Sequence, residues 1–158
     1  MLKYAAYDIV FQEFPDEVTL AIDLSLCPNR CPGCHSAALQ GDIGEPLDKD
    51  SLQALIDRYA DAITCVGLMG GDNDPRLVLD LLEWVRRHYK GRYRTGWYSG
   101  RTWEPSAERR AASLNYLKLG PWRAACGPLG HPGTNQRYYR VEADGSLTDL
   151  TGRFAKKR

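Results

Sequence analysis

The order of elements along the chain predicts an α/β protein, a partial (open) β/α barrel. Three observations predict it. Apolar and polar residues alternate with period two just before a cysteine-rich loop. Two later stretches carry helical spacing, and short apolar runs that read as strands intervene. Strand–loop–helix repeated with short connections is the pattern of an α/β sheet, and four such units are too few to close an eight-stranded barrel.

Residues 4–14 read as an extended lead-in. In residues 17–24, Val18, Leu20, Ile22 and Leu24 alternate with Thr19, Ala21 and Asp23, which predicts a strand. Leu52, Leu55, Ile56, Tyr59 and Ile63 fall on one helical face, in a helix that starts near Asp48 or Asp50. The run from Ile63 to Met69 is continuously apolar, as in a strand buried on both faces of a parallel sheet. Asp74-Pro75 then reads as a helix start, an N-cap followed by proline at the first helical position. Val78, Leu81, Leu82, Val85 and Tyr89 give that helix its apolar face. Tyr93–Ser99 reads as a third parallel strand and Tyr116–Leu119 as a fourth strand, with a weaker helix signal over Glu104–Ser113. A loop rich in proline and glycine follows over 121–136. Arg137–Glu142 and Leu147–Leu150 flank Ala143-Asp144-Gly145-Ser146 as a hairpin, and Lys156-Lys157-Arg158 reads as a solvated tail.

The chain has 158 residues, the length of one domain, taken as 1–158 with the hairpin and basic tail from about 137. The sequence shows no internal repeat, low-complexity segment or long linker. A formal net charge of +1 gives no basic field that would point to nucleic acid. No apolar stretch reaches the roughly 18 residues of a membrane span, and the N-terminus lacks the apolar run of a signal peptide, so a cytoplasmic location is expected. Five cysteines is an odd count, against a purely disulfide framework. In a reducing compartment, clustered cysteines more often bind metal or do redox work.

Three of the five stand close together, in Cys27-Pro28-Asn29-Arg30-Cys31-Pro32-Gly33-Cys34-His35. Prolines 28 and 32 and Gly33 argue for a loop wrapped around something rather than a helix. Three thiolates at CxxxCxxC spacing can turn toward one point and suit a metal or an iron–sulfur cluster. A structural zinc site is normally closed by four ligands, and no fourth is evident here. A cubane held by three cysteines keeps one iron open for a small molecule.

This loop, with Gly70-Gly71-Asp72 further on, resembles the radical S-adenosylmethionine (SAM) superfamily over about residues 4–150. Cys31-Pro32-Gly33-Cys34-His35, the short chain and a late Asn135-Gln136-Arg137 resemble one branch, the activating proteins of anaerobic (class III) ribonucleoside-triphosphate reductase. The resemblance implies a barrel of the radical SAM type and an oxidoreductase with one 4Fe-4S cluster on Cys27, Cys31 and Cys34. It implies SAM on the open iron, cleaved reductively so that a glycyl radical forms on the reductase. It also implies a small electron donor such as flavodoxin or ferredoxin. Two other readings are open, a radical SAM enzyme acting on a small molecule and a non-catalytic iron–sulfur or zinc protein.

The remaining candidates each carry two readings. Gly70 and Gly71 let a backbone approach the SAM ammonium, with Asp72 adding negative charge, or they form an ordinary strand-to-helix turn. His35 donates to a cluster sulfur, or lies on the surface. Ser99 meets the SAM ribose or carboxylate, or only forms a turn. Asn135 and its neighbours face the partner or the bound SAM, or cap their own loop. Asp23 lies on the polar strand face or lines the site. Cys65, inside an apolar strand, reads as a buried inert thiol, and Cys126 as a free cysteine or an extra ligand.

Overall fold

Eight strands and three α-helices follow one another among the described residues. They are β1 (Leu2–Val10), β2 (Thr19–Leu24), β3 (Glu45–Leu47), α1 (Lys49–Tyr59), β4 (Cys65–Met69) and α2 (Pro75–His88), then β5 (Arg94–Tyr98), α3 (Ala107–Ser113), β6 (Tyr116–Leu119), β7 (Arg137–Val141) and β8 (Leu147–Asp149). This computed structural model describes residues 1–155, so the Lys156-Lys157-Arg158 tail lies outside the described residues.

All eight strands belong to one mixed sheet in the order β3-β1-β2-β4-β5-β6-β7-β8. The four central strands, β2, β4, β5 and β6, are parallel. Both flanks are antiparallel: β1 pairs with β2 and β3, and β7 pairs with β6 and β8. This corrects the partial β/α barrel of the radical SAM type that the sequence predicts. A barrel grows by adding further parallel strand–helix units around an axis. Here that run stops at four strands, and each of its edges is taken by an antiparallel strand that extends the sheet outward. Among the described residues, three α-helices accompany the eight strands. Hydrophobic period reports what an element is, and not which neighbour it pairs with.

The individual elements follow from local chemistry. Asp48 caps α1 by accepting from the Ser51 amide at 2.9 Å, while the Ser51 hydroxyl accepts from the Asp48 amide, a reciprocal capping box. Asp74 caps α2 ahead of Pro75. Apolar residues of both helices, among them Leu52, Ile56, Val78, Leu82 and Val85, pack on Leu20, Ile22, Val66, Leu68, Trp97 and Leu117 of the parallel strands. These strand residues are one half of the alternation, and they bury one face of the sheet under the helices.

The opposite face is organised in rows, because neighbouring strands are in register. Asp23, Met69, Tyr98 and Lys118 are successive partners across β2, β4, β5 and β6. Two residues earlier on each strand stand Ala21, Gly67, Gly96 and Tyr116. Phe14, fully buried, covers the two glycines. A Cβ on Gly67 would stand 2.6 Å from the Phe14 ring, and one on Gly96 would also collide with it. Tyr98, Tyr116 and Tyr138 surround the same ring at centroid separations of 5.1 to 6.2 Å. The row of Asp23, Met69, Tyr98 and Lys118 is thus left facing the loop that leaves β2.

Candidate iron–sulfur site

That loop begins at Ser25, whose amide donates to the Lys3 carbonyl at 2.9 Å and whose hydroxyl donates to the Ile43 carbonyl at 2.7 Å. It folds back so that the Cys27 amide reaches the Leu39 carbonyl and the Leu26 amide reaches the Gly41 carbonyl. Inside the fold-back, Leu26 and Arg30 hold positive φ angles of 62° and 46°. Non-glycine residues pay of the order of 1 kcal/mol or more for that conformation, so the surrounding contacts must impose it. The chain therefore wraps, as its prolines and Gly33 suggested.

Cys27, Cys31 and Cys34 are free thiols, all half-buried, and all three line one cavity of about 290 Å³. Its opposite wall is the register row Asp23, Met69, Tyr98 and Lys118, together with Gly70, Asp72, Gly100 and Gln136 from the strand ends and the late loop. A second cavity of about 470 Å³ adjoins it. Cys34, Tyr98, Lys118, Trp122 and Gln136 line both, and Pro128, Leu129, Gly130 and Phe154 wall the outer one.

The sequence-predicted residues are distributed unevenly around this space. Gly70 lines the cavity at a φ of 107°, and its carbonyl accepts from Trp97 Nε1 at 2.7 Å. Gly71, at a φ of 92°, turns toward the core instead: a Cβ there would stand 2.5 Å from Val78 Cγ2 and 2.9 Å from Leu24 Cδ1. Asp72 is buried and bound by three donors, the Ser99 hydroxyl at 2.6 Å, the Gly100 amide at 2.8 Å and Asn29 Nδ2 at 2.5 Å. The last of these comes from the cysteine loop, so Asp72 clasps that loop to the ends of β4 and β5. Ser99 is buried within this clasp. His35 is exposed, borders the outer cavity and packs its ring 4.6 Å from that of Trp122. Asn135 Nδ2 donates to the Pro121 carbonyl at 3.1 Å and so joins the two ends of the late loop, while the adjacent Gln136 faces both cavities. Asp23 lines the cavity, and burial, with the charges of Glu13 and Asp8, raises its pKa above the usual carboxylate range.

Lys118 and Asn29 escaped the sequence reading. Lys118 left a signal, a charge between Leu117 and Leu119 in a short apolar strand. Asn29 left none, because its importance lies in a partner 43 residues away. Cys65 is buried, and burial raises its thiol pKa far above the ordinary value. Cys126 lies in the 121–136 loop, half-buried.

The donor set suits a cubane. Among the described residues, no three His, Cys, Asp or Glu side chains are gathered tightly enough to hold a single metal ion. A cubane makes a different demand, since each thiolate binds its own iron. Three half-buried thiols around one cavity, on a loop anchored at both ends, fit that demand.

No helix among the described residues is long and apolar enough to cross a membrane. No curated protein and no solved structure matches the chain. One family model does, that of the 4Fe-4S single cluster domain, over residues 18–119, a span that begins at the residue before β2, takes in all three cysteines and ends with β6. That match covers well over half of the chain, which therefore belongs to the 4Fe-4S single cluster domain family.

Proposed function

We propose that this iron–sulfur protein is a radical SAM activase, which cleaves SAM reductively and generates a glycyl radical on an anaerobic ribonucleoside-triphosphate reductase. One observation carries the reading. Three cysteines, and no fourth, share a cavity with the C-terminal ends of all four parallel strands, and a cubane held by them would keep one iron for a ligand. When bound, the cluster would supply the single electron that the SAM sulfonium accepts, drawn in turn from a small donor such as flavodoxin or ferredoxin.

The chain's own residues do the positioning. Asp72, engaged by Asn29, Ser99 and Gly100, holds the cysteine loop against the rim. Asp23 then offers a half-buried carboxylate to the ammonium group of an amino-acid ligand. Gly70 brings bare backbone to the cavity wall. The outer cavity, with Leu129, Pro128 and Phe154 in its wall, offers an approach to Cys34. A reactive carbon must meet its target within van der Waals distance, and a flexible glycine-containing loop of a docked protein could enter there. A glycine Cα suits hydrogen abstraction, because no side chain obstructs it and the flanking amides stabilise the product.

The test is electron paramagnetic resonance after anaerobic mixing of the reduced, reconstituted protein with SAM and such a reductase. A glycyl-radical doublet on the reductase is expected. SAM cleavage without the doublet would move the protein to a small-molecule substrate. A loaded cluster with no SAM cleavage would leave a non-catalytic iron–sulfur protein.

A further inference from the structure

We infer that the Lys118 ammonium is the built-in counter-charge of the cysteine cavity, and that it raises the reduction potential of the cluster held there. The inference rests on the iron–sulfur assignment and not on SAM cleavage, so either can fail without the other.

Lysine is among the residues least often buried, yet Lys118 is only 9% exposed. Its neighbours Leu117 and Leu119 point into the core under the helices, and alternation turns Lys118 to the other face, into the cavity that the three cysteines line. Its Nζ donates to the Gly120 carbonyl at 3.1 Å and stands 5.5 Å from the centroid of the Tyr98 ring. That bond goes to a carbonyl rather than a carboxylate, so it does not cancel the charge. Burial pulls its pKa down to about 8, against the opposing pull of Asp72.

The charges around the cavity then decide the effect. Two carboxylates, Asp23 and Asp72, line it beside the thiols. The other cation in its wall, Arg30, is exposed, so water and salt screen it. Three thiolates on a cubane make the assembly anionic, and reduction adds one more negative charge. A buried, poorly screened ammonium stabilises the reduced state more than the oxidised one, and net charge near a cluster is a main determinant of its potential.

The experiment is a mediated potentiometric titration of the anaerobically reconstituted protein, without SAM, comparing the wild type with Lys118→Met, Lys118→Gln and Lys118→Arg. Gln retains a donor for the Gly120 carbonyl, and Arg retains the charge. At the wild-type midpoint, the reduced-to-oxidised ratio should fall about tenfold in Met and Gln, a lowering of about 59 mV for one electron. Arg should stay within about threefold of the wild type. Cluster loss in Met and Gln with full iron in Arg would also support the inference, because charge is what separates them. An unchanged or higher midpoint in Met or Gln at full iron content would overturn it. So would cluster loss in all three variants, or an equal lowering in Arg, since space rather than charge would then be the cause. A wild-type chain that takes up no cluster would overturn the site itself.

Discussion

The two ends of the parallel strands are both polar and buried, yet they are built for different ends. At the N-terminal end, Glu17 is 8% exposed and fully engaged. It accepts from the Thr64 hydroxyl, from the Tyr116 hydroxyl at 2.9 Å and from Arg94 Nε at 2.9 Å. Phe14 lies over the paired glycines and closes that end. At the C-terminal end, three thiols, Lys118 and Asp23 face a cavity. Buried polarity alone therefore does not mark a site. What marks it is polar side chains directed into an enclosed volume rather than into one another.

The largest stability effect should come from the closed end. Phe14→Ala removes a fully buried ring from its glycine slot and should cost about 3–5 kcal/mol in chemical denaturation, while the folded fraction still takes up iron. A variant that kept wild-type stability but lost its iron would reverse the roles assigned to the two ends. A smaller effect belongs to the rim. Asn29→Ala removes one of three donors to Asp72 and should cost about 1–2 kcal/mol. It should also hasten iron release to a chelator, followed by absorbance, because the cysteine loop loses its clasp. Iron release at the wild-type rate would mean that Asn29 does not hold the loop. The smallest lies at the start of α2, two residues past Asp72 and outside the lining of the cysteine cavity. Asp74→Ala should cost about 1 kcal/mol by uncapping α2. The bond from the terminal amine and that from the Leu77 amide lower the Asp74 pKa. Its contribution is therefore present above the ordinary carboxylate range and disappears as pH falls through the depressed value. Urea midpoints of wild type and variant should converge in acid, and a gap that persisted at the lowest pH would contradict the cap's charge dependence.

Much of the fold was legible where a pattern was local. Asp74 announced α2 by its cap, the sequence offered Asp48 or Asp50 for α1 and the structure uses Asp48, and β6 spans the four residues that the sequence suggests. The parallel run was legible too, because a continuously apolar strand such as β4 must be covered on both faces, but the antiparallel flanks that make the sheet mixed left no such trace. β1 read only as an extended lead-in, and the 137–150 hairpin gave no hint that it continues the same sheet. β3 passed unnoticed because Glu45-Pro46-Leu47 is short, contains proline and owes its strand form to β1. At the site, the three cysteines declared themselves by spacing. The clasp of Asp72 on Asn29 and the row that sets Lys118 beside Tyr98 depend on long-range register, which one sequence does not display.

The geometry assigns the cluster to the cysteine cavity at the C-terminal end of the parallel strands. That assignment is tested most directly by iron and sulfide content, with visible absorbance, after anaerobic reconstitution of the wild type and the five single Cys→Ala variants. The wild type, Cys65→Ala and Cys126→Ala should each hold about four irons and four sulfides per chain. Cys27→Ala, Cys31→Ala and Cys34→Ala should each lose the cluster. Full iron content in a Cys34→Ala protein, or one zinc in place of iron in the wild type, would contradict the account.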